Sequence, residues 1–142
     1  MRFFPSYLTV DAILIVDDEI LLIQRGHDPF KGKWALPGGF VEEEEKVLTA
    51  AARELQEETG ISGVKLKQFA TYGDPGRDPR GRVVCVVHWA RLKTKQEAIA
   101  GDDAALARWF SFNDLPELAF DHAKILKDFR EHLRDENYGG KE

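Results

Sequence analysis

The chain has 142 residues, of which 43% are hydrophobic and 32% charged, and its formal net charge is −5. This length and composition suggest one globular domain, residues 1–142, and argue against a disordered chain. The acidic balance argues against a broad nucleic-acid-binding surface, which is normally basic. No apolar run approaches the length of a membrane span. From the charge and the hydropathy together, we expect neither nucleic acid nor a membrane as a partner.

The first half of the chain predicts a hairpin, a loop and a helix. Residues 7–16 are rich in β-branched and aliphatic residues, "DDE" predicts a turn, and "ILLIQR" continues as a second strand. "GHDPFKGK" has the composition of a loop, and "WALPGG" predicts a short extended piece that ends in a glycine turn. Residues 46–59 predict a helix, which Gly60 ends in a left-handed conformation. Its apolar sector holds Leu48, Ala51, Ala52 and Leu55.

The second half predicts three strands and a closing helix. "VKLKQFATY" alternates as a strand does, "RVVCVVHWARL" predicts a long buried strand, and "ARWFSF" a shorter one. Residues 73–81 contain three Gly and two Pro in nine positions, which predicts a loop. "LPELAFDHAKILKDFREHL" predicts an amphipathic helix, followed by the polar tail "DENYGGKE". The inner side of this helix holds Ile125, Leu126, Phe129 and Leu133.

Cys85 is the one cysteine of the chain, which excludes an intrachain disulfide framework and a cysteine-based zinc site. It lies in the predicted long strand, so we expect a buried thiol that packs as a small hydrophobe. At the N-terminus, Pro5 and Asp11 interrupt the apolar stretch that a signal peptide would need. These features favour a cytoplasmic protein.

The helix at 46–59 carries an unfavourable cluster of carboxylates in "RELQEETG". Glu54, Glu57 and Glu58 share a sector of the helix, where like charges destabilise it by a few tenths of a kcal/mol per pair. The helix dipole favours the glutamates at 42–45, near the N-terminus, but disfavours Glu57 and Glu58 at the other end. A divalent cation such as Mg²⁺, which takes oxygen ligands, would remove this conflict.

The stretch "GFVEEEEKVLTAAARELQEETGI", residues 39–61, resembles the Nudix box. Every specified position of that pattern is met, namely by Gly39, Glu45, Arg53, Glu54, Leu55, Glu57, Glu58, Gly60 and Ile61. The resemblance implies an α+β fold, an α/β/α sandwich around a central mixed sheet. It also implies an enzyme that hydrolyses a nucleoside diphosphate linked to a further group.

The resemblance also implies roles for single residues. It implies a Mg²⁺ ion, or Mn²⁺ in its place, held by the Gly38 carbonyl and by Glu54, Glu57 and Glu58, of which Glu57 and Glu58 are the strongest candidates. Glu45 is implied as an accessory ligand or as a helper through water. Through the metal, the glutamates Glu54, Glu57 and Glu58 are also the expected catalytic residues. Arg53 is expected to orient them by ion pairing, Gly39 to form a turn and Gly60 to cap the helix.

The segment "GDPGRDPRGR" is the main indication of the substrate. Its Arg77, Arg80 and Arg82 belong either to a solvated loop or to the cleft, where guanidinium groups suit phosphate and ribose oxygens. The segment is similar to one in ADP-ribose pyrophosphatases, as are "PFKGKWALPGGFVE" and "LPELAFDH". Arg25 either points to the phosphates, which we favour, or lies on the surface. Trp34 either stacks on the base or belongs to the core.

A further acid is expected from "AIAGDDAALARWF". Gly and Asp are common in turns, so "GDD" could form a turn without any role in catalysis. In the family, however, an acid from the corresponding loop often binds metal or deprotonates water. Asp103 and Asp102 are therefore candidate catalytic residues, with Glu97 as the alternative.

Our leading hypothesis is an enzyme that converts ADP-ribose and water to AMP and ribose 5-phosphate. Alternative substrates of the same fold are NADH, another nucleotide sugar, or a nucleoside triphosphate such as 8-oxo-dGTP. A less favoured alternative is a regulator that senses ADP-ribose without hydrolysing it. The apolar N-terminal residues Phe3, Phe4 and Tyr7 suggest a homodimer that pairs through them.

Overall fold

The computed structural model describes residues 2–101 and 104–139. Its strands and helices follow one another as the sequence predicts, a hairpin first and an amphipathic helix last. The elements are β1 (Tyr7–Val16), β2 (Glu19–Arg25), β3 (Trp34–Ala35), β4 (Gly38–Phe40), α1 (Val47–Thr59), β5 (Lys67–Tyr72), β6 (Val83–Arg91), β7 (Ala104–Ser111) and α2 (His122–Gly139).

All the strands join one mixed sheet in which β3, β2, β1, β6 and β5 are neighbours in that order. β1 and β6 run parallel over nine paired positions, from Tyr7–Val83 to Ile15–Arg91. The other pairings are antiparallel, and they include β7 on β2 and β4 on β1. The predicted central mixed sheet is therefore confirmed.

The two strands of the first hairpin separate soon after their turn. β1 pairs with β2 at Ile15–Ile20 and Val16–Glu19. Further along, β4 takes the place beside β1, and β3 takes the place beside β2. Because β3 and β4 are joined only by the two residues 36–37, this short segment crosses from one strand to the other and opens a cleft in the sheet.

One helix covers each face of the sheet. Ala50, Ala51 and Leu55 of α1 pack against Val10 and Leu14 on the first face. On the second face, residues 125–129 of α2 pack into a larger cluster with β1, β2 and β6. Since both faces are covered, every residue of β1 from position 9 to 16 is buried, and its sequence is almost continuously apolar. This arrangement is the predicted α/β/α sandwich.

The inner face of α2 is confirmed, but that of α1 is rotated from our prediction. Leu48 is 49% exposed, and Ala52 is exposed as well. The buried positions are Ala50, Ala51, Leu55 and Thr59. The apolar pattern misled us because Thr59 is buried with its hydroxyl donating to the Leu55 carbonyl at 2.6 Å, so a polar residue belongs to the inner face.

Four predicted boundaries are also wrong, and one of them is the start of β7, which lies at Ala104 rather than at residue 107. The strand expected from residue 64 begins only at Lys67, where pairing with Trp89 of β6 starts. The closing helix begins only at His122, after an irregular segment. It continues to Gly139, so part of the expected polar tail is helical.

The residues that suggested a homodimer lie on the surface. Phe3 is 86% exposed, Phe4 75% and Tyr7 58%. This exposure is what such pairing requires, and the homodimer stays a prediction. Neither of the two described helices is long and apolar enough to cross a membrane.

The segment before β7 docks on the C-terminal end of α1. The backbone N–H of Ile99 donates to the Thr59 carbonyl at 2.9 Å, and that of Gly101 donates to the Glu58 carbonyl at 3.2 Å. These bonds satisfy carbonyls that a helix end leaves without partners. The approach is so close that a Cβ at position 101 would overlap the carbonyl oxygen of Glu57.

We expect Gly101→Ala to lower the free energy of unfolding by about 1–3 kcal/mol, the usual cost of overpacking, because the backbone must move to admit the methyl group. Gly73→Ala is the matched control, since its Cβ would lie 3.5 Å from its nearest neighbour, a methyl carbon of Val84. Urea denaturation measures both variants. Equal stability of the two would contradict the close docking of this segment.

Candidate functional site

A cleft of about 370 Å³ opens where β1 and β2 separate. β3, β4, α1, the start of β6 and the segments at 27–28, 77–80 and 120–122 also contribute to its walls. The cleft brings acidic and basic groups together. Its lining includes the carboxylates of Asp11, Glu54 and Glu58 and the guanidinium groups of Arg25, Arg53, Arg77 and Arg80.

Arg53 binds three of the box glutamates at once. It donates to both oxygens of Glu45, from Nε at 2.7 Å and from Nη2 at 2.9 Å. Its Nη1 reaches Glu54 at 2.9 Å and Glu57 at 3.2 Å. A further bond runs from Nη2 to the carbonyl of Phe40 at 3.0 Å, which ties α1 to β4. This is the geometry that an orienting role requires.

These contacts have electrostatic consequences. The hydrogen bonds from Arg53, followed by one from the backbone N–H of Glu42, lower the pKa of Glu45 to about 2. Reciprocally, Glu45 above all, and then Glu54 and Glu57, raise the pKa of the Arg53 guanidinium. Glu45 and Arg53 therefore stay ionised at neutral pH, and one cation offsets the repulsion among the glutamates.

The glycines of β4 let the helix carboxylates lie against the strand. The backbone N–H of Gly38 donates to Glu58 at 3.2 Å. A Cβ at Gly39 would lie 2.5 Å from the carboxyl carbon of Glu54. Our prediction that Gly39 forms a turn is therefore wrong: it lies within a strand, and the requirement for glycine comes from the approach of Glu54. Gly60, with a φ of +76°, ends α1 as predicted.

The predicted metal ligands do not all face the cleft. Glu54 and Glu58 line it, with Gly38 beside them. Glu57 is turned to Arg53, and both oxygens of Glu45 are held by the same guanidinium. Within residues 2–101 and 104–139, no three acidic, histidine or cysteine side chains lie close enough together to hold a metal ion as they stand.

The donor set nevertheless fits a hard divalent cation. Glu54 and Glu58 lie about one helical turn apart, and the glycine strand β4 lies opposite them. Carboxylate and carbonyl oxygens are the ligands that Mg²⁺ and Mn²⁺ take. The space that the missing Cβ of Gly39 leaves beside Glu54 keeps that carboxylate within the cleft. Glu54, Glu58 and the Gly38 carbonyl are thus the groups that would hold the ion.

At the floor of the cleft, Asp11, His122 and Cys85 form a buried polar cluster, which we did not predict from the sequence. The backbone N–H of Leu36 donates to His122 Nδ1 at 3.0 Å, so the ring proton is on Nε2, which lies 3.2 Å from Asp11 Oδ2. The thiol of Cys85 donates to the same oxygen at 3.2 Å. Burial, and then Asp11, raise the pKa of Cys85 well above its ordinary value, which keeps it a thiol. Cys85 is 1% exposed, as predicted.

The three arginines of the segment 73–82 differ in their surroundings. Arg77 forms two bonds to Asp121, at 2.9 and 2.6 Å, and its side chain is only 6% exposed. Arg80 forms two bonds to Asp78, at 3.1 and 2.8 Å, and is 38% exposed. Both line the cleft. Arg82 is not part of that lining and donates instead to the Gly73 carbonyl at 2.8 Å.

Of the two remaining predicted substrate contacts, one lies in the cleft and one does not. Arg25 lines the cleft and donates from Nε to the Pro29 carbonyl at 2.6 Å. Trp34 lies outside the lining and packs edge-to-face on Phe110 at 4.8 Å, which corresponds to its core alternative. The rings that do line the cleft belong to Phe40 and Phe120, which sequence reasoning missed.

Asp102 and Asp103 lie outside the described residues, so their predicted role is still a prediction. The preceding Gly101 is bonded to the Glu58 carbonyl, at the end of α1 that carries the glutamates. Glu97, the alternative acid, is exposed and does not line the cleft.

Comparison with known proteins identifies the family of the chain. The NUDIX domain model matches residues 5–129. The chain is 48% identical over 122 residues to the ADP-ribose pyrophosphatase of Methanocaldococcus jannaschii, which covers 86% of this chain and 72% of that protein. It is 41% identical over 133 residues to the ADPR responsive transcriptional repressor NtrR of Acinetobacter baylyi, which covers 87% of this chain but only 53% of the repressor.

A solved structure shows the same fold. The NUDIX domain of Shewanella oneidensis NrtR, complexed with ADP ribose, superimposes with a TM-score of 0.85 and 35% identity. The match covers 92% of this chain and 90% of that one. The complete box, the cleft that Glu54 and Glu58 line and these matches agree with one another, and the chain belongs to the Nudix family of hydrolases.

Proposed function

We propose that this chain is an ADP-ribose pyrophosphatase that converts ADP-ribose and water to AMP and ribose 5-phosphate. One observation carries the proposal: a single cleft has the carboxylates of Glu54 and Glu58 on one wall and the guanidinium groups of Arg25 and Arg80 on another. A diphosphate bridged by cations needs both kinds of group. The pyrophosphatase at 48% identity and the ADP-ribose complex of the NrtR domain support this choice of substrate.

The reaction would depend on a divalent cation, Mg²⁺ or Mn²⁺. When bound, it supplies charge that neutralises the diphosphate and lowers the pKa of a bound water. Glu54 and Glu58 hold their carboxylates in the cleft for it. Arg53 fixes the neighbouring glutamates and so limits how far the helix face can rearrange.

A carboxylate must also accept a proton from the attacking water. Glu58, held by the Gly38 N–H at 3.2 Å, lies in the cleft and is one candidate. The others are Glu54, Glu57 and the pair Asp102 and Asp103 that follows Gly101. The attachment of Gly101 to the end of α1 supports keeping that pair among the candidates.

Arg80 is the best placed of the three loop arginines to contact the substrate. A guanidinium has five N–H donors, and Asp78 accepts two of those of Arg80, which leaves the others for phosphate or ribose oxygens. Its partly exposed position in the cleft fits this role. The Arg77 side chain is only 6% exposed and is bonded to Asp121, so we assign it to fixing the segment rather than to contacting the substrate.

A second candidate function is ADP-ribose sensing without hydrolysis. The similarity to a repressor that responds to ADP-ribose favours it. The complete set of box acids, two of them in the cleft, favours hydrolysis instead. NADH, other nucleotide sugars and 8-oxo-dGTP are alternative substrates for the same chemistry.

Product analysis with ADP-ribose, NADH, ADP-glucose and 8-oxo-dGTP, each with Mg²⁺ or Mn²⁺, tests the proposal. We expect the highest kcat/KM for ADP-ribose, with AMP and ribose 5-phosphate as products. Glu58→Gln should lower kcat at least about 100-fold because it removes charge from the cation site.

Glu43→Gln is the matched control, because Glu43 is exposed and outside the cleft lining. Its kcat should stay near the wild-type value. Tight binding of ADP-ribose without turnover would favour the sensor, and preference for another compound in the panel would replace ADP-ribose as the substrate.

We expect Arg80→Ala to raise KM for ADP-ribose roughly 10- to 100-fold while kcat stays within a few-fold, since a charged hydrogen bond is worth about 1.5–3 kcal/mol. Arg82→Ala removes the same charge from the same segment but outside the cleft lining, so its KM should match the wild type. Steady-state kinetics of the two variants separate these outcomes. Equal KM values in both would argue against substrate contact by Arg80.

A further inference from the structure

Phe120 has a backbone conformation that bulky residues rarely adopt. Its φ is +52°, in the left-handed region where a side chain is crowded. Phe30, whose φ is +62°, packs edge-to-face against it at 4.8 Å between ring centroids. Such strain persists only where the surrounding structure determines the conformation strongly, and it is concentrated at functional sites.

The residues on either side of Phe120 are anchored. Ala119 is completely buried, and its N–H donates to the Trp34 carbonyl at 2.8 Å. Asp121 accepts the two bonds from Arg77, at 2.9 and 2.6 Å. Phe120 is thus held between a strand contact and a nearly buried ion pair.

The next residue adds two further anchors. His122 accepts the N–H of Leu36 at Nδ1, and its Nε2 lies 3.2 Å from the buried Asp11. These contacts reach β1 and the segment between β3 and β4, both of which line the cleft. Together the anchors force Phe120 to keep its conformation and to place its ring at the cleft wall.

The ring is the meeting point of two cations. The guanidinium carbon of Arg25 lies 5.0 Å from the centroid of the Phe120 ring, and that of Arg80 lies 5.5 Å from it. An aromatic ring attracts cations through its quadrupole at such distances. Arg25 comes from the end of β2 and Arg80 from the loop before β6, so the ring brings together like charges from distant parts of the chain. The guanidinium carbon of Arg80 also lies 5.1 Å from the centroid of the Phe40 ring.

We infer that Phe120 is a specificity-determining positioning residue, whose ring gathers Arg25 and Arg80 into a cation pair that recognises a diphosphate. The inference rests on the proposed function for the identity of the ligand. It predicts that the ring matters for compounds with two linked phosphates, such as ADP-ribose and ADP, and much less for AMP. Phe120 acts through the arginines and takes no part in the hydrolytic step.

Calorimetric titration of the full chain with ADP-ribose, ADP and AMP in EDTA tests this, because no turnover is needed. Phe120→Asn removes the ring with a residue that tolerates the left-handed backbone. We expect it to weaken binding of ADP-ribose and ADP about tenfold, as loss of two cation–π contacts implies, and binding of AMP less. Phe120→Leu keeps the apolar bulk but lacks the ring, so its affinity for ADP-ribose and ADP should fall by the same factor. Phe120→Tyr keeps a ring and should bind both compounds as the wild type does.

A double-mutant cycle separates positioning from a purely structural role. In an Arg25→Ala, Arg80→Ala background, Phe120→Asn should have no further effect on the Kd for ADP-ribose. Wild-type affinity in both Phe120→Asn and Phe120→Leu, or the same tenfold loss in the background without the arginines, would overturn the inference. Thermal melting of each variant verifies that it is folded.

The two proposals can fail independently. A wild type that binds ADP-ribose with the expected dependence on Phe120, yet hydrolyses none, would contradict the proposed function alone. A wild type that hydrolyses ADP-ribose while Phe120→Asn and Phe120→Leu bind it normally would contradict the role of Phe120 alone.

Discussion

The ion-pair network of Arg53 is the interaction on which the site depends. Three glutamates close together on or near one helix would repel one another, and one guanidinium compensates them through bonds to Glu45, Glu54 and Glu57. The same side chain binds the Phe40 carbonyl and so joins α1 to β4. The folded chain therefore tolerates the negative charge that a cation site needs, because Arg53 offsets the repulsion among the glutamates.

The sheet supplies the space in which that charge acts. β1 and β2 separate after two paired positions, and the segment from β3 to β4 crosses between them. This crossing places the glycine strand against Glu54 and Glu58 and leaves the cleft open toward Arg25 and Arg80. The acidic wall is thus built from a helix and strand close in sequence, whereas the basic wall is assembled from distant segments.

This difference explains what the sequence predicted and what it did not. The apolar periodicity of residues 46–59 predicted α1, Gly60 predicted its end and the glutamate spacing predicted the acidic cluster, because these are local features. The pair of Asp11 and His122 joins residues from opposite ends of the chain, and the only sign of it was an aspartate within an apolar strand. The conformation of Phe120 depends on tertiary anchors, so no local pattern indicates it. Because the sequence does not show those tertiary contacts, it gave no reason to prefer Phe120 over Trp34 as the aromatic residue of the cleft, whereas the structure packs Trp34 on Phe110.

The most direct test of the account is thermal melting of the chain against Mg²⁺ concentration. An ion that binds only the folded site stabilises it by mass action, about 2.7 kcal/mol at 100 times Kd. We predict that the melting temperature rises with Mg²⁺ in the wild type and in Glu43→Gln. The rise should be much smaller in a Glu54→Gln, Glu58→Gln double variant. An equal rise in all three proteins would contradict a cation site built on these glutamates.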